Sequence, residues 1–137
     1  MKLHISSDRT IGQIQDEFAA EYPNLKLVFF SKAHKAYKGS PAKYLISDRE
    51  TTIGSMLQGK EVHAELFVEP EMPVWQLERL FELEYHLHIQ VFRRSGNTWL
   101  ETSVTDDLSL EDQEVKGKDS LRHQYQFVDP LDYKEQD

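Results

Sequence analysis

The chain has 137 residues, close to the commonest size of one domain, and its 39% apolar and 11% aromatic content is enough for a packed core. Sixteen basic against 24 acidic side chains give a formal charge of −8, which argues against a nucleic-acid coat or an anionic-membrane binder. With no cysteine there is no disulfide, thiol nucleophile or thiolate metal site, and no apolar run approaches the roughly 18 residues of a membrane span. The first ten residues hold no apolar stretch of the kind a secretory signal needs, so the expectation is a soluble cytoplasmic protein.

In chain order, Lys2 to Ser6 alternates and predicts a strand. Thr10 opens a helix, with Gln13 three residues on as its capping-box partner. Ile11, Ile14, Phe18 and Tyr22 make one apolar stripe of that helix, and Pro23-Asn24 ends it. Leu25 to Phe30 predicts a second strand. After a long loop from Ser31 to Ala42, Lys43 to Ile46 predicts a third strand, and Thr52 to Leu57 a short helix. The second half reads alike. Ala64 to Val68 is a strand, and Pro73 suits a helix start. Val74, Leu77, Phe81 and Tyr85 form a stripe, widened by Leu80 and Leu83. Leu87 to Phe92 is the next strand. Arg94 to Asn97 is a turn cluster, and Trp99 to Thr102 returns as a hairpin arm. Ser109 with Asp112 starts a short closing helix. The chain from Lys116 onward is polar apart from Tyr125 to Val128, and Asp132 to Asp137 is expected to be mobile.

The parallel is an internal repeat. Shifted by about 63 positions, Leu3 falls on Leu66, Ile5 on Val68, Ile14 on Leu77, Phe18 on Phe81 and Tyr22 on Tyr85. After one residue is dropped, Leu25 meets Leu87, Leu27 meets Ile89 and Phe30 meets Phe92. Each copy is a unit that cannot bury its apolar face alone, and two can do so together. The expected fold is α+β: one domain of two βαββα units, about residues 1–60 and 61–123, with helices on one face of an antiparallel or mixed sheet and a polar C-terminal tail.

Charge divides between the copies. Residues 1–60 carry nine basic and six acidic side chains, and residues 61–137 carry seven and eighteen. Lys32, Lys35, Lys38 and Lys43 lie in or beside the long loop with His34, Tyr37 and Tyr44. The loop reads first as a solvated insertion and second as a complement to the acidic half. Nucleic acid comes third, because the total charge opposes it.

Alternation assigns Leu3, Ile5, Leu25, Leu27, Phe29, Ala64, Leu66, Val68, Leu87, Ile89 and Val91 to the helix-facing side. The opposite side then carries Lys2, His4, Lys26, Val28, Phe30, His63, Glu65, Phe67, His86, His88, Gln90 and Phe92. Phe30, Phe67 and Phe92 on an otherwise polar face suggest a covered surface. His86 and His88, with His4 or His63 and Glu65, could supply nitrogen and oxygen donors to a divalent metal. A tandem βαββ arrangement with ligands on the sheet resembles, in topology alone, the glyoxalase/bleomycin-resistance superfamily, which implies paired ligands at equivalent strand positions. Here His4 falls on Phe67 and Glu65 on Lys2, and Pro23 or Asn24 and Lys26 stand where His86 and His88 would need partners, so no metal and no cofactor is expected. No nucleophile elbow, glycine-rich phosphate loop or His-Glu-x-x-His motif is present. Whether the chain is an enzyme stays open. The expected function is a non-enzymatic interaction or ligand-binding module, its binding residues drawn from Phe30, Phe67, Phe92, His86, His88, Lys35 and Lys38. Its partner would be another protein or a second copy as a homodimer, not nucleic acid or membrane. A metal binder or metal-dependent enzyme on the histidine face is the alternative.

Overall fold

The computed structural model describes residues 1–32, 39 and 41–126, with side chains in the last helix described through Arg122. The candidate residues Lys35 and Lys38 and the segment Asp132 to Asp137 lie outside the described residues. The fold is α+β. In order come β1 (Lys2–Ser6), α1 (Ile11–Glu21), β2 (Leu25–Phe30), a 3-10 turn (Ala42–Tyr44), α2 (Ile53–Met56), β3 (His63–Phe67), α3 (Val74–Tyr85), β4 (His88–Ser95), β5 (Thr98–Glu101) and α4 (Leu110–Gln126).

The strands form two antiparallel sheets, β1-β3 and β2-β4-β5. Each sheet joins the two halves, and the registers are informative. Leu3 opposes Leu66 at the centre of β1-β3, and Val28 opposes Gln90 in β2-β4. In both cases a residue faces the one that the sequence shift sets against it. The helix starts repeat the correspondence. The N–H of Ile11 donates to Thr51 O and that of Ile53 to Arg9 O, while the N–H of Val74 donates to Leu108 O and that of Leu110 to Met72 O. These bonds satisfy helix N-terminal donors that otherwise have no partner. Local capping follows the sequence: Thr10 and Gln13 close a full capping box, Thr52 Oγ1 accepts from the Ser55 N–H, and Ser109 Oγ from the Asp112 N–H.

One core is shared by both halves. Phe18 and Phe81 are fully buried, as are Leu3, Ile5, Ile14, Leu27, Val74 and Leu77. Phe81 meets Phe29 edge-on at 6.1 Å and Tyr85 at 6.2 Å, and Phe18 meets Tyr22 at 5.1 Å.

Four expectations are corrected. First, Lys43 to Ile46 is not a strand. Only Leu45 bridges Phe30, preceded by the 3-10 turn, because Pro41 and the long connection bring this segment to β2 at a single point. Second, the C-terminal helix does not stop near Gln113 but runs to Gln126. It is anchored by a polar stripe at helical spacing. Gln113 accepts from Arg93 and donates to Thr105 O, and Glu114 takes the Asn24 N–H and Nδ2, while Ser120 Oγ accepts the Gly96 N–H. Gly117 lets the helix come this close, since a Cβ there would stand 2.9 Å from Asn24 Cβ and 3.0 Å from its carbonyl oxygen. Third, His86 is not on a strand. It ends α3 in the left-handed conformation (φ 56°, ψ 32°), its N–H returning to Glu82 O. That turn absorbs the residue missing from the second half. Fourth, the outer face of β2-β4 is largely covered: Val28, Phe30 and Gln90 are buried. Gly39 lies against the Glu101 carboxylate on β5, Leu45 stands beside Phe30 on β2, and Gln90 Nε2 donates to Glu78 on α3.

Candidate functional site

The three phenylalanines do not make one surface. Phe30 is buried and Phe92 half-buried in the three-stranded sheet, whereas Phe67 belongs to β3 in the other sheet and is 58% exposed. His88 is half-buried opposite Phe30, and its Nδ1 is buried with no hydrogen-bond partner among the described residues. His86 is exposed at the helix end. The two histidines therefore do not stand side by side on a strand face.

The remaining candidates gather on the two-stranded sheet. His4 opposes Glu65 and Ser6 opposes His63. Glu65 sits 3.7 Å from His4 Nδ1 and 3.8 Å from Lys2 Nζ, all three side chains being about half exposed, so these pairs are worth little. Ser6 Oγ donates to Asp8 and lies 3.3 Å from His63 Nδ1. That serine bond, followed by the Asp8 backbone N–H and the neighbouring His63 and Arg9 charges, holds the Asp8 carboxyl below its ordinary range. The order is wrong for a nucleophile, because the base would have to stand between carboxylate and hydroxyl. Ser6 is also buried, with its proton committed to Asp8. Among the described residues no group of three or more His, Asp or Glu could hold a metal ion.

The chemistry on offer is that of the backbone. Met1 and Val68 exchange both their hydrogen bonds at 2.8 Å, which fixes the alternation of the ladder. Leu3 and Ile5 bond inward to Leu66 and Ala64. The N–H and C=O groups of His4 point out from β1, and those of His63, Glu65 and Phe67 point out from β3. The outer edge of β1 is closed: His4 N–H donates to Glu17 Oε1 at 3.0 Å, Arg9 Nη1 donates to His4 O at 2.8 Å, and Arg9 pairs with Glu17 at 2.7 Å. The outer edge of β3 is not. Among the described residues nothing bonds to the N–H or C=O of Glu65 or Phe67. The positions equivalent to Glu17 and Arg9 are Leu80 and Met72, which have no hydrogen bond to give. Phe67 on this edge strand is 58% exposed, and on α3 Leu80 is half-buried and Leu83 60% exposed. No single strand pattern in the sequence reports an open edge; the repeat alignment could have, since it sets Leu80 against Glu17.

A second concave feature lies across the molecule's first half. A groove of about 380 Å³ runs between α1, the start of β2 and Trp99 on β5. The Trp99 ring carries Lys26 Nζ at 5.3 Å and the Arg94 guanidinium at 4.9 Å.

The chain matches no family model, no curated protein and no solved structure. Among the described residues, no helix is long and apolar enough to cross a membrane.

Proposed function

We propose that the protein is a non-enzymatic interaction module that takes an extended segment of a partner protein as an additional strand on β3. The observation that supports this reading is the unequal treatment of two strand edges: one is capped by Glu17 and Arg9, while among the described residues the other has no partner and carries exposed Phe67. An unpaired edge is a template for another strand, and proteins that do not use one block it. Strand addition supplies main-chain hydrogen bonds for affinity, and side-chain contacts on alternate residues give selectivity. Here that contact would be Phe67, which is exposed on β3 itself.

Charge favours a basic segment over a second copy of the chain. Residues 61–71 contain Glu61, Glu65, Glu69 and Glu71 and no lysine or arginine. Pairing β3 with another β3 would set like charges together, whereas alternating basic and apolar residues would complement both the carboxylates and the apolar flank.

The test is selection of binders from a library of random octapeptides displayed on an inert carrier. Enrichment of basic, alternating sequences is expected. Their binding should slow amide exchange at Glu65 and Phe67 and be lost in Leu80→Glu, which gives the second half the carboxylate that Glu17 supplies to β1. Binders that protect other amides, or that bind Leu80→Glu as well as the wild type, would overturn the reading, and a dimer formed through β3 would replace it by self-association.

A further inference from the structure

We infer that the groove beside Trp99 is a binding site for a small organic anion, a phosphate or carboxylate carried on a flat apolar body. This site is separate from the β3 edge and does not depend on it.

The inference starts from a local reversal of charge. The protein is strongly acidic, yet the groove is lined by Lys26 and Arg49, with Asp16 its one acidic wall residue. Asp16 is already used: its Oδ1 lies 2.5 Å from Arg49 Nη2. Lys26 and Arg94 have no acidic partner among the described residues, and what they touch is the Trp99 ring. Both cations lean on one indole without an acidic partner among the described residues, and Lys26 stands in the groove wall, where an anion would supply the missing counter-charge.

Arg49 is held ready. Its Nη2 donates to Gly12 O at 2.8 Å as well as to Asp16, and its Nε donates to Gln15 Oε1 at 3.2 Å. A guanidinium has five donors in a fixed fork, and among the described residues the two N–H groups of Nη1 have no partner. A side chain fixed in this way loses little freedom when an anion arrives. Gly12 makes the arrangement possible: a Cβ there would stand 3.1 Å from Arg49 Cβ, Nε and Nη2 alike, so the arginine would have to move.

The body of the ligand is set by the remaining walls. Ala19, Pro23 and Leu25 provide an apolar side opposite the cations. The groove's volume of about 380 Å³ is at the small end of the range for small-molecule sites and is more than twice the roughly 150 Å³ that accommodates a benzene ring. An aryl group with one charged substituent therefore fits, while an inorganic ion would leave the apolar wall unused.

The experiment follows Trp99 fluorescence in the full chain carrying Trp75→Phe, which removes the other tryptophan. Phenyl phosphate and benzoate are titrated at constant ionic strength, with phenol and inorganic phosphate as controls. A saturable change is expected with phenyl phosphate, benzoate or both, and which of them binds tells phosphate from carboxylate. The affinity should fall about tenfold or more in Lys26→Glu and in Gly12→Ala. Circular dichroism establishes that each variant is folded, and Arg94→Gln serves in place of any that is not. No saturable change with either anion, an equal response to phenol, or unchanged affinity in the folded variants would overturn the assignment.

Discussion

The two halves of this chain both open with a strand, a helix and a strand, and they treat their outer edges differently. In the first half α1 sends Glu17 back to β1, and Arg9 joins it, so that both backbone groups of His4 are bonded. In the second half the residue at the same place in the sequence shift is Leu80, and among the described residues nothing bonds to the outward backbone groups of Glu65 and Phe67 on β3. Below the surface the halves agree: Phe18 and Phe81 are both fully buried, and the helix-start hydrogen bonds recur one for one. Core positions are constrained by packing, which tolerates little change in volume, while an edge residue is free to change what the surface can recruit. Equivalence in the core with divergence at the edge is what a shared scaffold with a specialised half would show.

The largest effects test the shared part. Phe18→Ala and Phe81→Ala should each cost about 3–5 kcal/mol in chemical denaturation, because each leaves a cavity in the same core. A loss confined to one of them would mean that the halves are not energetically alike. Glu17→Leu, which gives β1 the residue of the other half, should cost about 1–3 kcal/mol by removing a charged acceptor from His4 and Arg9. The reverse change, Leu80→Glu, should stay within about 1 kcal/mol while abolishing peptide binding, since half-buried Leu80 surrenders only part of its apolar contact. Comparable losses in the two variants would erase the distinction between the edges.

A third pair of positions sharpens the comparison at the helix ends. His86 holds a left-handed conformation that the first half avoids by using one more residue, so His86→Gly should raise stability by about 1 kcal/mol in thermal unfolding. The smallest effect concerns the tyrosines that close both helical stripes. Burial, reinforced by Glu21, Glu71, Glu111 and Glu69, pushes the Tyr22 hydroxyl up to about 12, and burial with Glu84 raises Tyr85. A group whose folded value is raised contributes stability that is complete below its unfolded value and lost as pH rises toward the folded one. Stability should accordingly decline between about pH 10 and 12. Tyr22→Phe should lessen that decline and change stability by less than about 1 kcal/mol at neutral pH, because the buried hydroxyl has no hydrogen-bond partner among the described residues. An alkaline limb unchanged in Tyr22→Phe would show that other groups set it.

Local chemistry made much of the fold readable in the sequence. The Thr10-Gln13 capping box, the Ile11-Ile14-Phe18 stripe and its counterpart through Phe81, and the alternating strands each depend on neighbours a few residues away. The capping box, both helices and the strands at Lys2, Leu25, His63 and His88 form, and the α+β class follows from them. What stayed hidden depends on distant partners. The extension of α4 rests on polar contacts to Asn24, Arg93 and Gly96, which carry no apolar period. The burial of Phe30 and Gln90 goes with partners far along the chain, Leu45 beside the one and Glu78 on α3 bonded to the other. The separation of Phe67 from Phe30 and Phe92 follows from the strands dividing into two sheets. Hydrophobic period records which side of an element turns inward, because that is a property of consecutive residues. Which edge remains unpaired and which cations meet across Trp99 are properties of strand order and register, and only the tertiary structure decides them.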